Sequence, residues 1–351
     1  MLAATALAPY CASAQGPAPD VQSIDIYGSS VFDSAAIRVE FSPDILRYVE
    51  LLSMQLSADP NSVAPEKAAS LRAGMQAIET KIRNALESRT PLAFFEIHPT
   101  TDQSRQVNVT VDVVEKTDEA RRMPFRDAPT ADLDDPGGTF ALWRAYEQKF
   151  FELVMAGAPF RVDANECPVL HCMVSFDSPE LAPYLERLND GARLHEDALY
   201  TVTANSADAS QRATALFVLA HTNDAKRLTP ALGRAIYDPD PGVRNNAMRV
   251  LAFMAAKGVE ADYPIRDLIV ALDFPSTTDR NKAATALSFL VRQPTHRDTI
   301  RRDALPVLLR LLRLEQPNNH TPAHQILKAV SGETFGDRDY AAWERWAARV
   351  R

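Results

Sequence analysis

Glycine is scarce in this chain, 12 of 351 residues, about half the share of an average protein. No Gly-rich loop is present to cradle a phosphate. The sequence also lacks His-Glu-x-x-His, Gly-x-Ser-x-Gly and Cys-x-x-Cys, so the common metalloprotease, serine hydrolase and dithiol signatures are missing. The seven histidines, His98, His171, His195, His221, His296, His320 and His324, are scattered. An enzyme is therefore not expected, and no cofactor or metal is implied. His320 and His324 lie one helical turn apart but lack a third ligand nearby, and are expected as an exposed polar pair.

A basic surplus is absent too. The net charge is −8, and residues 192–351 carry 22 Lys or Arg against 18 Asp or Glu, leaving −12 for the first 191. Binding to phosphate backbones is driven by displaced counterions and needs a strongly basic face. Nucleic acid is not expected as the main partner. Apart from the N-terminus, no stretch approaches the roughly 18 apolar residues of a membrane-spanning helix, so no integral membrane segment is expected.

Cysteine is rare, with only Cys11, Cys167 and Cys172. Residues 1–14 are apolar and small and end in Ala12-Ser13-Ala14 before Gln15, which matches a signal peptide cleaved after Ala14, although a basic start is missing. Export would place the protein in the periplasm or outside the cell. Cys167 and Cys172 would then remain as an even pair, whose default in an oxidising compartment is a disulfide. The competing reading is zinc, with His171 and His195 joining the thiolates.

What the chain does have is repetition. Three segments align on Arg212, Arg244 and Arg280, at steps of 32 and 36 residues; Ala215, Ala247 and Ala283 follow three later, and Leu219, Leu251 and Leu287 seven later. A period in this range means stacked supersecondary units, none able to bury its apolar face alone. Four helix pairs are predicted, over 194–204 with 211–221, 228–237 with 243–256, 265–272 with 280–291, and 301–314 with 321–330. Asp208 and Asp240 precede their helices as N-caps, and Arg212 and Arg244, four residues on, have the reach to meet the neighbouring repeat's turn. Asp208, Arg212, Asp240 and Arg244 thus read as an inter-repeat ladder. Ser276 stands at the Asp offset in the third repeat.

These pairs resemble HEAT repeats of the phycobilisome-lyase type, most sharply in Asp238-Pro239-Asp240-Pro241-Gly242-Val243-Arg244-Asn245-Asn246-Ala247-Met248. The resemblance implies an α-solenoid over 191–331 that binds proteins, with a chromophore lyase or a nucleic-acid binder as alternatives. Residues 332–351, with Trp343 and Trp346, resemble the C-terminal cap of such arrays.

The first 116 residues differ in kind. Val21–Tyr27 alternates and breaks on Gly28; two helical periodicities follow; 93–97 and 107–115 then read as strands. Val107, Val109, Val111 and Val113 share one face opposite polar residues, the pattern of a sheet buried on one side. The order strand-helix-helix-strand-strand over 21–116, with Ile24, Ile26, Gly28, Val31-Phe32, Ile37-Arg38 and Phe94-Phe95-Glu96-Ile97, resembles a POTRA domain. That resemblance implies an α+β module that takes partners by strand addition at a sheet edge. An acidic, Pro-rich linker over 117–138, with Asp127, Asp132, Asp134 and Asp135, is expected to be solvated. Connecting helices with the Cys pair span 139–190, beginning with an aromatic helix (Phe140, Trp143, Tyr146, Phe150, Phe151) expected to pack on the repeats. The sum is an α+β domain followed by an all-α solenoid, read as an exported protein-binding scaffold.

Overall fold

A computed structural model describes residues 20–56, 65–101, 106–158, 163–173 and 178–350. The signal-like residues 1–14 lie outside the described residues.

The N-terminal unit runs β1 (Val21–Tyr27), α1 (Ser34–Leu56), α2 (Pro65–Glu87), β2 (Leu92–Thr101) and β3 (Val107–Glu115). The sheet order is β1-β3-β2, with β1 parallel and β2 antiparallel to β3. Ile37, Phe41 and Ile45 of α1 and Ile82 and Leu86 of α2 pack in one cluster with Ile24, Ile26, Val109, Val111 and Val113. The alternation in β3 thus selects the face that the helices cover. Gly28 ends β1 at φ +92°, and a Cβ there would meet the Val113 carbonyl at 2.2 Å; only glycine lets the chain turn this close to β3.

The second face of β3 departs from the expectation. Asn108, Thr110 and Asp112 are as buried as the valines, with Thr110 and Asp112 fully inaccessible. The sheet is covered on both sides, and what covers the polar side is the helical array.

That array begins after a short helix α3 (Glu119–Arg122) and the aromatic helix α4 (Thr139–Met155), followed by α5 (Ala182–Leu194). The pairs are α6 (Glu196–Asn205) with α7 (Ala209–Leu219), α8 (Ala225–Ala235) with α9 (Pro241–Ala256), α10 (Ile265–Ala271) with α11 (Thr277–Leu290), and α12 (Pro294–Leu312) with α13 (Pro317–Ser331). The second helices stack in order, α7 on α9 on α11 on α13. Ala215, Ala247, Ala283 and Ala323 are fully buried where they meet, and so are Leu219, Leu251, Leu287 and Leu327. Small residues allow close approach of the helices, and the leucines fill the layer behind them. Asp208 and Asp240 accept from the second and third amides of α7 and α9 at 2.7 to 3.3 Å, as N-caps do. Gln316 caps α13 in the same way.

The acidic linker is a strap fastened to the array. Arg126 donates its amide to the Tyr237 carbonyl at 2.8 Å, and Ala131 pairs with the turn at 205–207 through two backbone bonds. Asp135 accepts from the amides of Phe140 and Ala141 at the start of α4. Turn carbonyls and free helix amides fasten it at these points, while Asp127, Asp132 and Asp134 remain exposed to solvent as expected.

The last helix, α14 (Tyr340–Val350), closes the array. Trp343, fully buried, meets Trp346 and Phe335 edge to face, and its Nε1 donates to Gly336 O at 2.9 Å. These rings cover the last apolar layer, which a solenoid end requires. Gly332 takes the left-handed position after α13, at φ +74°, as a helix-ending glycine does.

Candidate functional site

The ladder arginines sit on the second helices, one per repeat. Arg212 donates through Nη1 to Ser206 O and through Nε and Nη2 to both carboxylate oxygens of Asp238 at 2.8 and 2.7 Å. Arg244 donates to the carbonyls of Asp238 and Pro239 and to Asp279 Oδ2 at 2.8 Å. Each arginine therefore ties its own turn to the next repeat. Asp208 and Asp240 serve as caps, and the acids that pair with the arginines are Asp238 and Asp279. Burial raises Asp279 to about 6, against the pull of Arg244.

The third rung differs. Arg280 holds the carbonyls of Phe274 and Pro275, but its next-repeat partner is the neutral Asn319, at 3.0 Å. Charge balance comes from Asp112 of β3, whose Oδ1 accepts from Arg280 Nη2 at 2.6 Å with both side chains inaccessible. Asp112 Oδ2 accepts from the amide and hydroxyl of Thr277 at 2.9 and 2.7 Å. The uncapped third repeat thus receives its N-terminal carboxylate from the sheet. Asp25 of β1 does the same beside α13, accepting from the amides of Glu315 and Gln316; burial raises its pKa even against those bonds.

Opposite Asp112 on β1 lies Tyr27, stacked under the guanidiniums of Arg280 and Arg122 at 4.1 and 5.1 Å. Its hydroxyl donates to Asp273 Oδ1 at 2.6 Å, and burial beside that carboxylate pushes it up to about 12. Asp273 also receives Arg310 at 2.9 Å and Arg121. Burial opposes its ionisation, but Arg310 and Arg122 outweigh it and hold the carboxyl below its usual range. The sheet and the array are locked by charge as well as by apolar contact.

A fourth rung went unnoticed in the sequence. His320 stands four after the capping Gln316, three before Ala323 and seven before Leu327, the offsets of the three arginines. It is buried, with Nδ1 at 2.7 Å from Leu312 O and Nε2 at 3.3 Å from Asp337. His324 Nε2 meets Phe335 O. The expected exposed polar pair is therefore corrected to a rung and a cap contact. Reading Ala323 and Leu327 as part of the repeat would have found it.

Cys167 and Cys172 are joined by a disulfide, and His195 lies apart, beside Gly137 where α5 meets α6. The loop that the bond closes lies across the second helices of the first two repeats. His171 stacks on Phe217 of α7 at 4.6 Å and meets Phe253 of α9 edge-on at 5.1 Å. Lys257 Nζ donates to the carbonyls of Cys167 and Val169 at 2.6 and 2.8 Å, and the Leu170 amide donates to Ala220 O. Burial drives His171 well below its ordinary pKa, and burial brings His221 down to about 4. Both imidazoles are therefore neutral at physiological pH.

The groups that could be mistaken for chemistry are thus occupied by packing. Among the described residues, no three His, Cys, Asp or Glu side chains gather as a metal site, and no helix is long and apolar enough to cross a membrane. A cleft between the strap and the second repeat, lined by Arg126, Thr203, Arg234 and Asp238, holds about 10 Å³, room for one water at most. A groove of about 530 Å³ lies over α14, beside Phe335, Arg345 and Arg349. Among the described residues β2 pairs only with β3, so that margin of the sheet has no strand beside it.

No protein-family model matches the chain, and no curated protein matches it. Among solved structures, a designed armadillo repeat protein, YIII(Dq)4CqI, aligns with 56% of this chain and 94% of its own, at 15% identity and a TM-score of 0.34. That likeness is too distant to add to the stacking of helix pairs described above.

Proposed function

We propose that this chain is an exported, non-enzymatic scaffold or adaptor of the cell envelope, a POTRA-like module joined to HEAT-like repeats, which holds protein partners. The observation that supports the reading is the use of the conspicuous side chains: the rung residues are spent on ties between repeats and the buried imidazoles on packing against rings, and what remains is extended surface. An α-solenoid of this build offers a broad face to another protein. The β-α-α-β-β order leaves β2 at one margin of the sheet, a strand that offers backbone bonds to an added strand. The disulfide fits an oxidising compartment.

The test is an intact mass of the native protein from envelope and cytosolic fractions, before and after reduction, coupled to cross-linking in the living host. An envelope species starting at Gln15, two mass units heavier after reduction and cross-linked to protein, is the expected result. A full-length cytosolic species with free thiols and no protein adduct would overturn the reading. Proline placed in β2 should abolish any strand-added complex while leaving the repeats folded.

A further inference from the structure

The second-helix face is not uniform along the array. Over α7 and the end of α9 it is covered, by α4 through Trp143 against Phe217 and by the disulfide loop through His171 against Phe217 and Phe253. That loop is non-helical chain lying on helices, and part of its grip is a cation on main-chain carbonyls, Lys257 on Cys167 and Val169. One helical turn before Phe253, on the same face of α9, stands Arg249; on the neighbouring α11 stands Lys282. Among the described residues neither forms an ion pair. Arg249 reaches only Asn245 Oδ1 at 3.4 Å, and Lys282 only Asn281 Oδ1 at 3.3 Å.

These are half-buried cations with no hydrogen-bonded carboxylate: Lys282 has no acid acting on it, and Arg249 has only the field of Glu147, with no bond between them. Burial lowers Arg249, and burial with repulsion from Arg249 brings Lys282 down to about 8. The acid whose field Arg249 feels is Glu147 of α4, itself desolvated and bonded to Trp143. Elsewhere in the array the buried arginines of the rungs are all paired, so the exception falls where the face emerges from under the loop. Asn281, Thr285 and Phe289 flank it on α11, half-buried.

We propose that the strip from Arg249 to Lys282 receives an extended acidic segment of a partner protein, laid along the second helices in continuation of the disulfide loop, with a carboxylate between the two cations. The inference rests on the scaffold reading and names the face and the chemistry of its partner. Charge complementarity selects an anionic occupant. A −8 chain without a basic stripe favours acidic peptide over nucleic acid.

The test is fluorescence anisotropy on the full chain with a labelled twelve-residue Ser-Glu repeat peptide, beside a Ser-Lys peptide of the same length and a single-stranded dT12. The Ser-Glu peptide should bind, the Ser-Lys peptide should not, and the double variant Arg249→Gln/Lys282→Gln should weaken binding about tenfold or more. Lys282→Arg should retain it. Because Lys282 is desolvated with no acid acting on it, Lys282→Gln alone should weaken binding while melting no lower than the parent, which separates lost binding from lost fold. An unbound Ser-Glu peptide, or one indifferent to the double variant, overturns the proposal, as does dT12 binding more tightly through the same two residues. If in-host cross-links persist unchanged in the double variant, this face is wrong while the scaffold reading stands; if none form in the parent, the scaffold reading itself fails.

Discussion

Two segments dock onto the same array by opposite means. The sheet meets the turns of the third and fourth repeats with carboxylates, Asp112 on Arg280 and Thr277 and Asp25 on the amides before α13. The disulfide loop meets the second helices of the first and second repeats with rings and apolar groups, His171, Val169 and Leu170, against Phe217 and Phe253. The first seam completes polar needs that the array leaves open, a missing cap and an unpaired arginine. The second removes apolar surface and keeps its imidazole, His171, neutral by burying it. A seam of charges is specific, because each unmet group is costly; a seam of rings tolerates exchange of shape-matched residues but not the arrival of charge.

The strongest way to break the first seam is Asp112→Ala. It strands Arg280 in the interior, and removal of one partner from a buried pair costs about 3–5 kcal/mol. Chemical denaturation should show that loss, with earlier proteolysis at the strap as the sheet comes away. Asp112→Asn keeps an acceptor for Thr277 and should cost less.

Acid should break the second seam. Next to that seam, just past the end of α7, His221 lies against Asn189 of α5 and Trp143 of α4; its folded pKa of about 4 against an ordinary 6.5 means that its stabilising contribution is whole above pH 6.5 and is lost as pH falls towards 4. The difference amounts to about 3 kcal/mol, and His171 shifts in the same direction. Melting temperature should therefore drop between pH 6.5 and 4, and His171→Phe, which keeps the stacked ring, should flatten part of that slope. Opening the Cys167–Cys172 bond by paired serine substitution should cost about 2 kcal/mol, as expected for so short a loop, and should leave the Asp112 seam intact. The smallest effect belongs to Asp240→Ala, a cap outside both seams, at about 1 kcal/mol. A larger loss there would mean that the caps carry the array's docking geometry as well.

Much of this was legible before the fold. Periodic arginines, alanines and leucines gave the helix pairs, and the two tryptophans marked the cap. The strand alternation gave the sheet's apolar face. The polar face misled, because Asn108, Thr110 and Asp112 look the same whether water or an arginine waits opposite. His320 is hidden for a related reason: the other three rungs are arginines, while what the fourth repeat requires is any donor that can reach a turn carbonyl. The strap was hidden because its fastenings are backbone bonds, which composition does not encode.

The sequence by itself determined the local elements, the repeat and the residues that cap it, since these follow from periodicity and propensity within a few turns of chain. Only the tertiary structure decided which acid meets which arginine, that the sheet supplies the third repeat's missing carboxylate from 168 residues away, and that Arg249 and Lys282 are left without an ion pair among the described residues. Those outcomes depend on long-range juxtaposition in a low-dielectric interior, where one unpaired charge outweighs many local preferences.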